Sequence, residues 1–312
     1  MENYLKSVFK VDNVSSLGFG GGGCISEGSS YKVGSRKMFV KRNSDEGADI
    51  MFMGEYESLK AMRDTKTVRV PEPIKLCKNA DGKDYLFIME HLDMHSLRKY
   101  QQQLGTDIAK LHLHNINMIE KQKENDKNVT TKKHETAVQK FGFHTSTCCG
   151  LHPLDNSWSE NWLEFYARQR IDSKVNAILE SSGDRELVEL WSKLQLVVSR
   201  LFKEVDVYPS LLHGDLWGGN AAEMDDGPVV FDPASFYGHH EFELSITNIF
   251  GGFNQSFFKA YHSLIPKSRG FDGRHQLYIL FHYLNHWHHF GGGYRSSSLS
   301  SMRGAIKYAE AM

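Results

Sequence analysis

The stretch Leu211–Pro233, LLHGDLWGGNAAEMDDGPVVFDP, decides how the rest of the chain is interpreted. Its first residues end an apolar run that predicts a strand, and Val229–Phe231 predicts a second strand after the DDGP turn. Asp215 and Asn220 lie five residues apart in the polar loop between the strands, and Asp232 directly follows the second strand. Because a short hairpin brings strand ends together, we expect these three oxygen-bearing side chains to converge.

This set of side chains is the one that kinases use for phosphoryl transfer. In such a site Asp215 would accept the proton of a substrate hydroxyl, while Asn220 and Asp232 would hold Mg²⁺ on the phosphates of ATP. Magnesium prefers oxygen ligands and keeps several waters, so two protein ligands suffice. Asp and Asn also favour turns and caps for structural reasons alone. His213, just before the loop, is expected to support the loop from beneath rather than to react.

Composition sets the broad class. With 312 residues, 40% of them hydrophobic and 12% aromatic, the chain is long enough for one large or two modest globular domains. Lys and Arg number 37 against 38 Asp and Glu, so the chain has no excess of positive charge that would attract nucleic acid. No secretory signal and no run of 18 apolar residues is present, which predicts no membrane partner. Four cysteines without a C-x-x-C motif favour a reducing compartment, and we expect a cytoplasmic protein.

A glycine-rich segment near the N-terminus, LGFGGGGCISE, suits a phosphate-binding loop because glycines let backbone N–H groups approach closely. A flexible hairpin turn is the alternative, since no P-loop motif is present. Cys24 follows the glycines, and its thiol is either an ordinary loop residue or a redox switch. Oxidation to an intermolecular disulfide would make a monomer into a redox-dependent dimer. The candidate phosphate-covering residues are Gly20, Gly21, Gly22 and Gly23.

A strand and a helix follow that could anchor the phosphates. The strand Lys37–Lys41 ends in Lys41, and Glu46–Met62 has helical periodicity. A Lys on the strand paired with Glu55 on the helix would aim its ammonium at the α- and β-phosphates. Glu57 is a competing partner, and both groups could instead be solvated surface residues.

The next segments predict a junction between two lobes. Ile74–Cys77 and Tyr85–Glu90 form a hairpin around an NADG turn, after which the pattern becomes helical. We therefore predict a nucleotide-binding lobe over residues 1–90 and a catalytic and substrate lobe over residues 91–312. Ligand clefts favour such junctions, and backbone groups of residues 89–93 could bond an adenine edge.

Two regions could contact a sugar. Trp217 lies two residues beyond Asp215, where its indole could stack on a sugar or pack in the core. The apolar, histidine-rich helix Leu277–Phe290 places His282 and His286 one turn apart, but without an H-E-x-x-H motif to indicate metal. Packing of aromatic residues explains this run as well. A sugar-facing wall would use Asn285, His286 or Trp287.

Three other segments give weaker signals. The charged run Glu120–Glu135 predicts a mobile surface insertion. No periodicity assigns a structure to Phe141–Gly150. Glu241–Ile249 predicts a helix whose acidic first turn would favour the helix dipole.

Taken together, the motifs HGDLWGGN, FDPASFYGH, GFGGGGCISEG, MFVKRN, IMEHL, KFGFHTSTCCG and YLNHWHHF resemble the fructosamine-3-kinase (ketosamine-3-kinase) family over nearly the whole chain. The HGD-x-x-x-x-N element alone is shared with aminoglycoside and choline kinases. The resemblance implies an α+β, protein-kinase-like two-lobed fold, with a small antiparallel-sheet N-lobe with one helix and a larger, mainly helical C-lobe. It further implies ATP-dependent phosphorylation of the 3-hydroxyl of protein-bound ketosamines. The unstable 3-phosphate would then release the lysine, which deglycates the protein.

The resemblance also implies a role for each site residue. Met89–His91 would lie against the adenine, and Gly20–Gly23 would cover the phosphates. The chain has Asp-Pro at Asp232 where protein kinases have D-F-G, which removes a familiar switch. Asp215 would be the base, and Asn220 and Asp232 would be the metal ligands. Lys41 would be the phosphate anchor, paired with Glu55.

Two other functions stay open at this level. A kinase of another small alcohol, such as an aminoglycoside or choline, would share the three oxygen ligands but need an acidic substrate pocket. A redox-sensing nucleotide-binding module without turnover is the other, although the full set of kinase residues argues against it. For a ketosamine kinase the partners would be glycated proteins or glycated lysine, and the residues do not choose among fructosamine, ribulosamine and psicosamine.

Overall fold

A computed structural model describes residues 1–19, 26–127 and 136–312. Its N-terminal part is an antiparallel sheet of five strands with the order β1-β2-β3-β5-β4. The β2–β3 and β3–β5 pairs keep a continuous register, with Val40 opposite Ile88 in the latter, whereas the two outer pairs each contain a register shift. The elements are α1 (Glu2–Phe9), β1 (Val14–Phe19), β2 (Glu27–Val33), β3 (Arg36–Asn43), α2 (Ala48–Thr65), β4 (Pro73–Lys78) and β5 (Tyr85–Glu90).

The two faces of this sheet are covered by different helices. Alternate residues of a strand face opposite sides, so Met38 and Val40 of β3 pack with Leu5 of α1 on one face. Phe87 of β5 lies on the other face, where it packs against Phe52 of α2 with 6.1 Å between ring centroids. The alternation places the side chains at odd-numbered positions of β3 on the α2 face.

The remainder of the chain is mainly helical around one large hydrophobic core. A π-helical turn at Tyr166–Asp172 and two 3₁₀ turns, Val198–Phe202 and Gly292–Tyr294, interrupt the helices. The elements are β6 (His95–Ser96), α3 (Gln101–Lys127), β7 (Thr147–Cys148), β8 (Pro153–Leu154), α4 (Trp162–Phe165), α5 (Ser173–Ser182), α6 (Arg185–Val197), β9 (Ser210–Leu212), β10 (Ala221–Met224), β11 (Gly227–Val230), β12 (Phe236–Gly238), α7 (His240–Thr247), α8 (Gln255–Leu264), α9 (Phe271–Phe290) and α10 (Arg295–Glu310).

Short strands frame the loop on which the sequence analysis was centred. β10 and β11 form a hairpin in which Met224 pairs with Gly227 across a two-residue turn. β9 pairs with β12, with Leu212 opposite Phe236. The polar loop that carries Asp215 therefore starts and ends on paired strands.

The α+β, kinase-like architecture predicted from the sequence is confirmed. One local prediction was wrong. The charged run that begins at Glu120, predicted to be a mobile surface insertion, continues helix α3 as far as Lys127. The rest of that segment, residues 128–135, lies outside the described residues. Within the described ranges, no helix combines the length and the apolarity needed to cross a membrane.

Candidate active site

Lys41 lies at the centre of an ion-pair cluster between β3 and α2. Lys41 occupies an odd-numbered position of β3, so its side chain faces α2. Its ammonium Nζ is 2.7 Å from Oε1 of Glu55 and 2.6 Å from Oδ1 of Asp232. Burial disfavours the ammonium form, but the carboxylates of Asp232 and Glu55 outweigh burial and raise the pKa of Lys41. Glu57, the competing candidate, is instead 3.1 Å from Nε2 of His144. The charged Lys41 is therefore fixed at the edge of the cleft.

A glycine sets the turn from β9 into the catalytic loop. Gly214 has a φ of +84°, and a Cβ at this position would lie 2.1 Å from the backbone oxygen of Ala234. The close approach is fixed by a hydrogen bond of 2.8 Å in which the Ala234 N–H donates to the His213 carbonyl. Only glycine fits both the conformation and the space. This packing presents the next residue, Asp215, at the end of the strand.

His213 supports the loop through both ring nitrogens. Its Nε2 donates to the Phe231 carbonyl at 2.9 Å, and its Nδ1 accepts from the Asp215 backbone N–H at 3.3 Å. Burial lowers the pKa of His213, which matches a neutral ring with one donor and one acceptor nitrogen. The ring is fully enclosed, and it ties the two strand ends together.

The carboxylate of Asp215 is held by two donors. Cys149 Sγ donates to Oδ1 at 3.7 Å, and Asn220 Nδ2 donates to Oδ2 at 3.1 Å and to the backbone oxygen of Asp215 at 2.9 Å. Burial raises the pKa of Asp215 to about 7, with the Asp232 carboxylate adding to the rise and the two donors opposing it. A pKa near the operating pH suits a group that accepts a proton.

Asn220 and Asp232 flank the β10–β11 hairpin, and both carry side-chain oxygen atoms. The amide nitrogen of Asn220 is used on Asp215, which leaves its carbonyl oxygen for another ligand. Asp232 has a φ of +56°, and the Phe231 N–H donates to the Asn220 carbonyl at 3.1 Å, so the two residues lie on adjoining backbone. In the part of the chain that the structure describes, no three His, Cys, Asp or Glu side chains form a metal cage. Two oxygen ligands completed by phosphate and water fit Mg²⁺ rather than a metal held by protein alone.

A buried carboxylate that the sequence analysis did not single out holds the loop from below. Glu243 of α7 is fully buried and accepts hydrogen bonds from the backbone N–H groups of His213 and Gly214, the latter at 3.0 Å. Nε2 of His112 lies 3.5 Å from its Oε2. The sequence signal was the pair of acidic residues in the first turn of α7, and the structure buries every residue of this helix from Glu241 to Thr247. A carboxylate on a helix face with no solvent-exposed stripe needs a buried partner.

The structure places the predicted adenine contacts at the end of β5. Met89 is buried, Glu90 is bonded to Arg69 at 2.6 Å, and His91 Nδ1 lies 2.9 Å from Ser30 Oγ. The glycine loop, Gly20–Gly23, and Cys24 lie outside the described residues, and their roles stay predictions.

The candidate sugar-binding residues lie in two settings. Trp217 is 37% exposed and packs on Phe250, with 5.8 Å between ring centroids, and Phe250 in turn lies 4.8 Å from the ring of His286. These three rings extend from the catalytic loop to α9. Trp287 is buried in the core, and Asn285 Nδ2 donates to the Cys149 carbonyl at 3.0 Å.

Comparisons with known proteins identify the family of the chain. Residues 2–308 match the fructosamine kinase family. The chain is 51% identical to ketosamine-3-kinase of Mus musculus over 311 residues, which covers 98% of this chain and 100% of that protein. The crystal structure of a candidate fructosamine-3-kinase from Thermobifida fusca YX-ER1 superposes with a TM-score of 0.77 at 23% identity, covering 98% of each chain.

A more distant structure shares the fold. A thermostable mutant of aminoglycoside phosphotransferase APH(4)-Ia, in a ternary complex with ADP and hygromycin B, has a TM-score of 0.54 at 13% identity and covers 100% of this chain and 97% of that one. The enzyme class predicted from the sequence, a phosphotransferase of the ketosamine kinase type, is confirmed by the relatives at higher identity. The chain therefore belongs to the fructosamine kinase family.

Proposed function

We propose that this protein uses ATP and Mg²⁺ to phosphorylate the 3-hydroxyl of ketosamines carried on protein lysines, with Asp215 as the base. The observation that carries the proposal is the continuous chain of contacts along one edge of the cleft. Lys41 contacts Asp232 at 2.6 Å, and Asn220, whose backbone adjoins Asp232, contacts Asp215 at 3.1 Å. The phosphate anchor, the metal ligands and the base thus occupy one strip of surface.

The proposed reaction depends on positioning more than on covalent chemistry. Asp215 orients the acceptor hydroxyl and accepts its proton as the oxygen bonds to the γ-phosphorus, and ADP leaves. Lys41, held by Glu55, binds the α- and β-phosphates. Mg²⁺ held by Asn220 and Asp232 would neutralise the charge on the phosphate oxygens. Because this transition state is loose, holding the acceptor in line supplies much of the rate enhancement.

The two lobes take separate parts of the substrate pair in this proposal. Residues 1–90 bind the nucleotide, with the adenine at Met89–His91 and the phosphates under Gly20–Gly23. Residues 91–312 bind the ketosamine. The exposed face of Trp217 stacks on the sugar ring or its alkyl stem. His286 continues this wall through Phe250, and Trp287 supports it from the core.

A single substitution tests the assignment of the base. Asp215→Asn keeps the size of the side chain but cannot take up the proton, and its single amide oxygen can accept only one of the two hydrogen bonds from Cys149 and Asn220. We expect turnover of ATP with fructosyl-lysine and ribulosyl-lysine to fall by a factor on the order of 10² to 10⁴, while ATP affinity changes less than about twofold. The matched control is Asp226→Asn, an exposed aspartate in the β10–β11 turn.

The outcomes separate the candidate functions. Turnover of either adduct by the native protein, lost in Asp215→Asn and kept in Asp226→Asn, supports the proposal. Unchanged turnover in Asp215→Asn would refute the role of the base. Binding of ATP without turnover of either adduct by the native protein would favour a nucleotide-binding module instead.

A further inference from the structure

Lys174 is a buried cation without a partner. It lies at the start of α5, is 4% exposed, and makes no hydrogen bond or ion pair with any residue that the structure describes. Burial lowers the pKa of Lys174, and its strongest electrostatic neighbours are two thiols, those of Cys149 and Cys148, and the cation Arg170. A buried ammonium with no counter-charge costs folding free energy. The Lys174 ammonium is not one of the fully enclosed atoms, so it opens on space that water or a ligand can occupy.

Arg170, one helical turn earlier, is itself a cation and cannot supply a counter-charge to Lys174. Its guanidinium donates to the Asp155 carbonyl at 2.7 Å and to Asn156 Oδ1 at 2.6 Å. It also stacks on the ring of Phe236 at 4.3 Å. Arg170 thus holds the segment before α4 through its two terminal nitrogens, and only its Nε is enclosed without a partner among the described residues.

Other buried polar atoms without hydrogen-bond partners lie beside residues 148–152. Asn285 is 3% exposed, and its Oδ1 is enclosed without a hydrogen bond although its Nδ2 is bonded to Cys149. The Nδ1 of His288 is likewise enclosed and unpaired, and the His288 ring stacks on His152 with 4.0 Å between centroids. Lys174 acts electrostatically on both imidazoles. An amide oxygen and a ring nitrogen beside residues 148–152 therefore have unused hydrogen-bonding capacity, and the charge of Lys174 acts on the same segment.

This cluster lies one side chain away from the proposed base. Cys149 Sγ contacts Asp215 Oδ1 at 3.7 Å on one side and Asn285 Nδ2 at 3.5 Å on the other. A molecule whose hydroxyl reaches Asp215 could therefore extend towards Asn285 and Lys174. Sugar hydroxyls both donate and accept hydrogen bonds, so they match a set of unpaired groups that includes a donor and an acceptor.

We infer that Lys174, Asn285 and His288 form a subsite for the distal end of the ketosamine, the carbons beyond the phosphorylated C3. The inference rests on the proposed function. The amine end of the substrate is cationic and attached to a protein, so it must point out to solvent and is repelled by Lys174. The polyol tail is then directed inwards. Fructosamine, ribulosamine and shorter ketosamines differ in this tail, so the subsite determines the preference for chain length.

Lys174→Met tests this subsite because it removes the charge and keeps the length of the side chain. On fructosyl-lysine and ribulosyl-lysine we expect kcat/KM to fall about 10- to 100-fold, the effect of losing a hydrogen bond to a charged donor. On erythrulosyl-lysine, whose tail is a single carbon, we expect a loss smaller than about threefold. The KM for ATP should not change, and Lys174→Gln, which keeps a donor, should recover part of the loss.

Thermal unfolding separates a binding role from a structural one. Removal of an unpaired buried charge should leave the midpoint of Lys174→Met unchanged or higher. The exposed Lys193→Met on α6 is the control for both measurements. An equal loss on all three adducts, no loss on any, or a lower midpoint would overturn the inference. Inactivity of the native protein on every adduct would overturn the proposed function on which it rests.

Discussion

Asp215 shows how one environment can favour chemistry and disfavour folding. Its carboxylate is removed from water beside Asp232, which raises its pKa from the ordinary 3.8 to about 7. A carboxylic acid with that pKa is available as a base near neutral pH. The raised pKa also means that the charged carboxylate of Asp215 is less stable in the folded protein than it is in water. The site therefore lowers the stability of the protein at the pH at which it works.

The pH dependence of stability follows from the direction of this shift. Between about pH 4 and pH 7 the folded state binds a proton at Asp215 that the unfolded state has released, so the free energy of unfolding decreases as pH rises. Asp215→Asn does not titrate. We expect this variant to be more stable than the native protein at pH 8, by a few kcal/mol at most, and the difference to shrink towards pH 4.

Urea denaturation of both proteins at pH 5 and pH 8 measures this difference. Because the other titrating groups are common to both proteins, their contributions cancel in the comparison. Asp226→Asn, an exposed substitution of the same kind, should show no such trend. A stability difference between Asp215→Asn and the native protein that stays the same at both pH values would contradict the raised pKa.

At the residue scale, the sequence predicted where a side chain lies wherever the repeat of a strand or helix determines its position. The alternation of β3 fixes the face on which Lys41 lies, and the helical period places Glu55 opposite it, at 2.7 Å. The contact of Cys149 with Asp215 has no such origin. It depends on how residues 141–150, which lack periodicity, cross behind the catalytic loop. Contacts between segments without a repeat could not be predicted.

At the element scale, α7 shows a similar limit. The helix was predicted, but its two acidic residues were interpreted only as first-turn charges that favour the helix dipole. Both are buried: Glu241 pairs with Arg274 at 2.7 Å, and Glu243 holds the backbone of the catalytic loop. A sequence read locally cannot distinguish these positions, because their partners come from α9 and β9. The distinction matters, since only Glu243 contacts the machinery of the site.

The two glutamates allow a matched comparison. Glu243→Gln must direct its amide N–H₂ at a backbone N–H or leave one unpaired, which costs about 1 to 3 kcal/mol and releases the loop that carries Asp215. We expect kcat per folded molecule to fall at least about tenfold, because small displacements of a catalytic group are costly. Glu241→Gln breaks a buried ion pair and should lose about 3 to 5 kcal/mol of stability.

Steady-state kinetics corrected for the folded fraction, together with urea denaturation, test this comparison. Glu241→Gln should retain nearly the native kcat despite its larger loss of stability. An equal fall of kcat in both variants would mean that α7 acts only through stability. An unchanged kcat in Glu243→Gln would refute its role in positioning the loop.

At the scale of the whole molecule, α2 and the cleft connect the two parts of the fold. Ser58 Oγ of α2 accepts a hydrogen bond from the Ser235 N–H at 3.1 Å, and the Val230 N–H donates to the Arg69 carbonyl at 3.0 Å. The Lys41–Asp232 ion pair spans the same boundary. The kinase-like fold was implied by the family resemblance of the motifs, whereas these bonds between the N-terminal sheet region and the rest of the chain depend on three-dimensional packing. A nucleotide bound at Lys41 and Asp232, as proposed, would therefore contact both parts of the fold.

This arrangement predicts how ATP stabilises the protein. Without ligands, Asp232 is paired with Lys41, and a metal ion on the phosphates would offer Asp232 a second partner. We expect ATP with Mg²⁺, at about 100 times its dissociation constant, to add about 2.7 kcal/mol to the free energy of unfolding. Addition of EDTA should remove most of this gain. Asp232→Asn should show a smaller gain that no longer depends on Mg²⁺, because its ligand is neutral.

Thermal unfolding with ATP, with and without Mg²⁺, measures the effect independently of turnover. Asp226→Asn, whose side chain is exposed, should behave as the native protein does. If ATP stabilised the native protein equally with Mg²⁺ and with EDTA, Asp232 and Asn220 would not be metal ligands. If Asp232→Asn kept the full Mg²⁺ dependence, the metal would be held elsewhere in the cleft, and Asp232 would serve only to orient Lys41.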